Sequence, residues 1–260
     1  MEHQKQWREV AIQAALEAGK LLRKGFGTSL QIINKPGHHN LVTQYDYASE
    51  AHIFSFLMKK FPSHGFFGEE RGQSKEGDVL WIVDPLDGTV NFAHNIPVFC
   101  VSIAAFFQGE VRIGCIYQPM TEELFWAEKG EGAFLNGMPL KVTSTPCLEE
   151  AFLTTGFPYN LEEDPLHCIE TFSRLTKRGI PIRRLGSAAI DLSYVAAGRF
   201  DGYWEVSLQP WDFAAGKLLV EEAGGVVTRY DGAPLNLLEA NPLLAAGPSL
   251  HLSMQRALVL

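Results

Sequence analysis

Apolar residues recur every three or four positions between residues 4 and 24, through Trp7, Val10, Ala11, Ala14, Ala18, Leu21 and Leu22. That spacing predicts an amphipathic helix packed on a core, closed by Gly25 and Gly27. Lys35-Pro36-Gly37-His38-His39-Asn40 then reads as a polar loop, and the two histidines as a solvated pair, because loop neighbours seldom face one ion. A second helical pattern puts Ala51, Phe54, Met58 and Phe61 on one side with Ile53 and Leu57 beside them, Asp46 ahead of it as a candidate N-cap and Pro62 as its stop.

Short apolar runs follow. Residues 65–68 read as a strand ending in Glu69 and Glu70, residues 71–78 as a charged, glycine-containing loop, and Leu80 to Val83 as a buried strand. Residues 98–107, 111–117 and 124–127 are further strands joined by turn signals, which predicts an antiparallel sheet in the first half. Beyond residue 150 the pattern alternates: a strand at 152–155, a helix at 163–178, a strand at 182–185, and a helix from Gly186-Ser187-Ala188-Ala189 to Ala197 with Gly198 as its C-cap. A strand at 200–205, a helix from Trp211-Asp212 to Ala223 and a strand near 243–246 finish the reading. No repeat or low-complexity linker divides the chain.

Composition narrows the class. With 260 residues, 46% of them hydrophobic and 20% charged, the chain suits one large soluble domain or two closely packed halves. No apolar run approaches the ~20 residues that span a bilayer. The N-terminus lacks a secretory pattern, so the cytoplasm is the expected location. A net charge of −8 without a basic run argues against nucleic acid as a general partner. It leaves a small phosphorylated substrate open, because bound cations reverse the local field. Cys100, Cys115, Cys147 and Cys168 show no CxxC spacing and are expected to be reduced.

The candidate chemistry lies at residues 81–92, WIVDPLDGTVNF. Asp84 and Asp87 flank Pro85 and Leu86, and Gly88 and Thr89 follow at once. Two carboxylates in such a turn, with a hydroxyl and backbone N–H groups behind them, suit a divalent cation that also holds phosphate. A plain acidic turn is the rival reading. Taken singly, Glu69 could likewise be a solvated edge, and Asp212 and Asp46 ordinary helix caps. Jointly, these acids stand at strand ends and a helix start, where α/β sheets gather functional residues.

The blocks GEE at 68–70, WIVDPLDGTVNF at 81–92 and WDFAAGKLLVEEAGG at 211–225 resemble the signatures of the inositol monophosphatase family of magnesium-dependent, lithium-sensitive phosphatases. NLVTQYDYASE at 40–50, KGEGAFLNG at 129–137 and GSAAIDLSYVAAGRFDGYWE at 186–205 agree. The resemblance implies a layered αβαβα sandwich, with an α+β half at 1–148 carrying the metal turn and an α/β half at 149–260 closing the site. It implies Mg²⁺, two or three ions per site, held by Glu69, Asp84, Asp87, Asp212 and the Leu86 backbone oxygen. Thr89, with Asp46, would position the attacking water, and Glu69 would act on the nucleophile side. Gly88 and Thr89 would face the phosphate, Ala188, Glu205 and Asp212 the sugar-like part, and Lys35 the phosphate and metals. The family also implies a homodimer. Asn40 and Asn95 depart from the common pattern without touching the metal set.

The expected reaction is hydrolysis of a small polyol phosphate, foremost myo-inositol 1-phosphate. Fructose 1,6-bisphosphate or the 2′-phosphate of NADP are the alternatives within the fold. A metal-binding regulator without turnover, or a metal-free glycosidase pair of acids, are the rivals of other classes.

Overall fold

The computed structural model describes residues 2–34 and 41–258, so Lys35, His38, His39 and Asn40 lie outside the described residues. Helices α1 (Glu2–Gly25) and α2 (Gln44–Lys60) bracket a small antiparallel pair, β1 (Ile32–Asn34) and β2 (Leu41–Thr43). Next come β3 (Gly65–Gly68), β4 (Gly72–Lys75), β5 (Val79–Asp87), the short helix α3 (Thr89–Ala93), β6 (Cys100–Phe107), β7 (Glu110–Gln118), β8 (Glu123–Glu128), β9 (Gly132–Leu135) and β10 (Met138–Pro139). They form an eight-stranded sheet in the order β10-β9-β8-β7-β6-β5-β3-β4.

The remainder supplies β11 (Leu153–Thr155), α4 (Cys168–Lys177), β12 (Ile182–Arg183), α5 (Ala188–Ala196), β13 (Gly202–Leu208), α6 (Pro210–Glu222), β14 (Val226–Thr228), β15 (Asn241–Ala246) and α7 (Pro248–Leu258). Its sheet runs β12-β11-β13-β15-β14.

Strand alternation sorts the apolar side chains into three cores. In β5, Trp81 and Val83 join Ala11, Ala14, Leu22, Ile53 and Leu57 of α1 and α2. Leu80 and Ile82, on the opposite face, join Ile190, Leu192, Phe213 and Leu219 of α5 and α6. In β15, Leu243 and Ala245 share that middle core, whereas Leu244 and Ala246 pack with Leu175, Leu250 and Met254 of α4 and α7. The layers are therefore helix, sheet, helix, sheet, helix, as the family resemblance implies. Gly114 keeps the middle layer close: a Cβ there would stand 2.7 Å from the Ala215 carbonyl oxygen of α6.

Several local expectations give way. The α2 face turned to the core is Asp46, Ser49, Glu50, Ile53 and Leu57. Of the apolar positions expected there, Ile53, Leu57 and Phe61 are buried, and Phe54 and Met58 are half-buried at the edge of the same core. Thr43 is its N-cap, and Asp46 sits at the third helical position, its Oδ2 accepting the Thr43 N–H at 2.8 Å in a capping box. Asp212 likewise is not a cap: it lies inside α6, whose N-cap is Gln209.

Residues 72–75 form an edge strand rather than loop, paired with β3 through backbone bonds that need no apolar pattern. The first sheet is antiparallel except between β3 and β5, which run parallel. The helix expected at 163–178 is shorter, preceded by 3₁₀ turns in which Asp164, Leu166 and His167 take positive φ. The strands at 182–185 and 200–205 become β12 and β13, and α7 was not anticipated at all. All four cysteines are free thiols.

Candidate active site

The parallel pairing of β3 with β5 places both C-terminal ends at one edge, with Gly68 opposite Val83. Glu69 therefore emerges beside Asp84, and its own N–H donates to Val83 O at 3.2 Å. The β5 strand does not leave the sheet at Asp84. It continues to Asp87 through a bulge: Asp84 faces Ser102 of β6, and Asp87 faces Cys100, so one extra residue is accommodated. Pro85 lies inside this bulge and has no N–H to give the ladder. Both carboxylates are re-aimed as a result.

The turn is bonded from several directions. Asp84 Oδ1 accepts the Leu86 N–H at 2.9 Å, and Ser49 of α2 donates to Pro85 O at 2.8 Å. Asp87 Oδ2 accepts from Ser187 Oγ at 2.6 Å and from the Ala189 N–H at 2.7 Å, which ties it to the start of α5. Gly88 takes φ 94°, and a Cβ there would stand 2.8 Å from Val98 O, so only glycine fits. Thr89 Oγ1 lies 2.9 Å from both Asp46 Oδ1 and Leu86 O, and its single proton serves one acceptor at a time.

Asp212 reaches the site because the start of α6 is docked on the large sheet. Trp211 packs edge-on against Phe67 at 5.2 Å, and Ser102 Oγ donates to Trp211 O at 3.3 Å. Asp212 Oδ2 accepts the Gln209 N–H at 2.7 Å.

The electrostatics bring the four acids into one field. Burial first, then Glu69, Asp87 and Asp212, push the Asp84 carboxyl well above its usual range. Asp212 is raised by burial, then by Asp87 and Glu69. Asp87 is raised by burial, against the opposing hydrogen bonds from Ser187 and α5. Among the described residues, no three His, Cys, Asp or Glu side chains yet close on one point as a finished ligand group. The donor set nevertheless fits a hard divalent cation: carboxylate and carbonyl oxygens, mutually repelling and largely desolvated, with no imidazole or thiolate needed.

Beside the acids, Ala188 opens α5 and Glu205 lies on β13. Glu205 accepts from Tyr203 Oη at 2.6 Å, and burial pushes its carboxyl up to about 7. Gly156 lies directly against it, since a Cβ there would overlap Glu205 Oε2.

A model of the inositol monophosphatase family matches residues 3–259. The chain belongs to that family. It is 42% identical over 254 residues to the inositol-1-monophosphatase of Synechocystis, covering 97% of this chain and 88% of the relative. It is 41% identical over 242 residues to the Nus factor SuhB of Escherichia coli K12, covering 92% of this chain and 90% of that protein. The crystal structure of the extragenic suppressor protein SuhB from Bartonella henselae superposes with a TM-score of 0.88 at 40% identity, over 96% of this chain and 97% of the other. As a member of the inositol monophosphatase family the chain is a phosphoric monoester hydrolase, from a family that is generally metal-dependent.

Three residues near the family site escaped the sequence reading. Ser187, the N-cap of α5, is bonded to Asp87. Asn91 Nδ2 donates to Val98 O and to Leu185 O, at 2.7 and 2.8 Å, joining the metal turn to the segment before α5. Tyr159 is 53% exposed as a residue. Yet burial of its phenol, together with the field of Glu69, Asp212, Asp87 and Asp84, pushes it up to about 12. No periodicity marks such residues. The only signal was the N-cap chemistry of serine before an apolar helix.

Proposed function

We propose that the chain hydrolyses a small polyol phosphate monoester, foremost myo-inositol 1-phosphate, with Mg²⁺ at two or three positions. The observation that carries this reading is the bulge of β5 that presents Asp84 and Asp87, bonded through Thr89 to Asp46 and lying within the field of Glu69 and Asp212. Residues 1–148 supply the metal turn in this reading, and residues 149–260 close over it.

Glu69, Asp84, Asp87, Asp212 and the Leu86 carbonyl would hold the cations. Bound there, Mg²⁺ supplies Lewis-acid polarisation of water and of the departing ester oxygen. The chain's own part is orientation. With its proton given to Asp46, Thr89 Oγ1 presents a lone pair to a proton of the attacking water and leaves Leu86 O free for a cation. Water oxygen bonds to phosphorus as the ester P–O bond breaks, and the proton released by the attacking water balances the one taken up by the leaving alcohol. Glu69 lies on the side of the attacking water. Gly88 and Thr89 would offer N–H groups to the phosphate, and the family resemblance would assign Lys35 to it as well. Ala188, Glu205 and Asp212 face the polyol, with Glu205 accepting from ring hydroxyls.

A panel of myo-inositol 1-phosphate, fructose 1,6-bisphosphate and NADP, assayed with Mg²⁺, tests the ranking. We expect kcat/KM to be highest for the inositol ester and all turnover to stop with a chelator. A comparable kcat/KM for the bisphosphate reverses the substrate assignment, and turnover in chelator removes the metal reading. The field of Glu69, Asp212, Asp87 and Asp84 at Tyr159 supports a place for its phenol at the rim of the site. Tyr159→Phe should raise KM for the inositol ester by roughly 2- to 10-fold, the worth of one hydrogen bond, with kcat nearly unchanged.

A homodimer, lithium inhibition and a cytoplasmic location belong to the same proposal. Among the described residues no helix is long and apolar enough to cross a membrane. The name of the Escherichia coli relative suggests a regulatory role as a second reading. Retention of Glu69, Asp84, Asp87, Asp212, Thr89 and Asp46 together favours turnover here.

A further inference from the structure

The buried stripe of α2, Asp46, Ser49, Glu50, Ile53 and Leu57, follows the helical spacing of a core face, but its first three members are polar. Ile53 and Leu57 enter the core under β5. Asp46, Ser49 and Glu50 are 1%, 0% and 1% exposed, and each is bonded to a different part of the acidic site. Asp46 accepts from Thr89, and Ser49 donates to Pro85 O. Glu50 Oε1 accepts the N–H groups of Glu70, at 2.9 Å, and Arg71, at 3.3 Å.

Glu50 Oε2 also lies 3.3 Å from Arg71 Nε. The Arg71 guanidinium covers the Phe54 ring one turn further along α2, at 4.8 Å, and Phe54 packs edge-on against Phe66 of β3 at 5.1 Å. The fit is close enough that a Cβ on Gly68 would stand 2.2 Å from Glu50 Oε1. A buried carboxylate is costly unless its bonds are met, and here they are met by the two residues that follow Glu69. The N–H of Glu69 itself is taken by Val83 of β5. The backbone is thus pinned on both sides of this one acid.

We propose that Glu50 is a positioning residue: with Arg71 and Phe54 it clamps the turn after β3 to α2, and so fixes the direction from which Glu69 approaches Asp84. The inference rests on the metal reading of the site, in which Glu69 is a ligand. The clamp acts by holding a repelled carboxylate at its post. Its loss lets the turn relax away from Asp84 without disturbing the chemistry once cations are saturating.

The experiment is calorimetric titration of the full chain, stripped with EDTA and dialysed, with Mg²⁺ alone, alongside kcat against Mg²⁺ concentration. Glu50→Gln keeps the size but loses the charge, and should raise the half-saturating Mg²⁺ concentration by about 10- to 100-fold, the usual loss when a ligand's outer support is removed. Its kcat at saturating Mg²⁺ should stay within about threefold of wild type. Arg71→Ala, at a partly exposed side chain, should shift the same way by a smaller factor, and Arg71→Lys should recover part of it.

If both variants melt lower in EDTA yet take up Mg²⁺ like wild type, Glu50 is a structural anchor only and the inference is overturned. Should Glu50→Gln fail to fold, the Arg71→Ala and Arg71→Lys pair decides: an unshifted Mg²⁺ curve in both overturns it. Wild type that binds no Mg²⁺ fails the metal reading instead, a result that cannot be confused with the other.

Discussion

Asp87→Asn is expected to abolish phosphate release, lowering kcat/KM by about three orders of magnitude or more, while the protein stays folded. Asn is nearly isosteric, and its carbonyl oxygen can accept the same Ser187 and Ala189 bonds that now hold Asp87 Oδ2. The anchor to α5 therefore survives, and what is lost is the negative charge facing the site. Removing one pre-organised group aimed at developing charge commonly costs about 10²- to 10³-fold. A cation ligand affects both attack and departure, so the larger figure applies. Phosphate release at saturating Mg²⁺, with circular dichroism as the control for folding, measures it. Glu205→Gln should behave differently: in the proposed reading its carboxylate faces the polyol, so KM should rise by more than kcat falls. Undiminished release in Asp87→Asn would remove Asp87 from the cation set.

The contrast between these two acids also explains what the sequence could reveal. The sorting of apolar residues into three cores follows from strand alternation, and the unbroken apolar run Leu80 to Val83 marks a buried strand. The bulge that carries that strand on to Asp87 was hidden, because Pro85-Leu86 has the local chemistry of a turn, and only pairing with β6 decides otherwise. Asp46 and Asp212 were placed near helix starts correctly but one turn too early. A capping box puts the acid at the third helical position, and Thr43 and Gln209 are the residues that precede it.

Hydrophobic periodicity shows only part of the buried face of α2. It weighs apolar side chains alone: Ile53 and Leu57 are buried as it implies, and Phe54 and Met58 pack at the edge of the same core. The true buried face opens with Asp46, Ser49 and Glu50, polar groups hidden because the site behind them supplies their partners. Tyr159 is invisible for a related reason. It lies in an irregular segment between Gly156 and α4, where position is set by Gly156 against Glu205 and by Phe157 against Phe172, not by any repeat in the chain.

The crowding that makes the site reactive should also make it a burden on the stripped protein, and Asp212→Asn exposes this. Burial, followed by Asp87 and Glu69, raises the Asp212 carboxyl well above its usual range. For an acid so raised, the native state holds its proton to higher pH than the unfolded chain. The ionised form therefore costs stability, in full above the native-state pKa and not at all below the ordinary value of 3.8. In EDTA, wild type should lose stability as the pH rises above 3.8 and the Asp212 carboxyl ionises, and Asp212→Asn should show a weaker fall and melt above wild type once that carboxyl is ionised. Mg²⁺ acts in the opposite direction. At 100 times its Kd, one bound ion stabilises the native state by about 2.7 kcal/mol. For a chain of this size that is a rise of roughly 5–10 °C in Tm, which Asp212→Asn should largely forfeit. The ordering of the two proteins thus inverts between EDTA and Mg²⁺. Differential scanning calorimetry in both buffers measures it, and a variant that melts below wild type in EDTA yet gains the full Mg²⁺ rise would show that Asp212 neither repels its neighbours nor holds a cation.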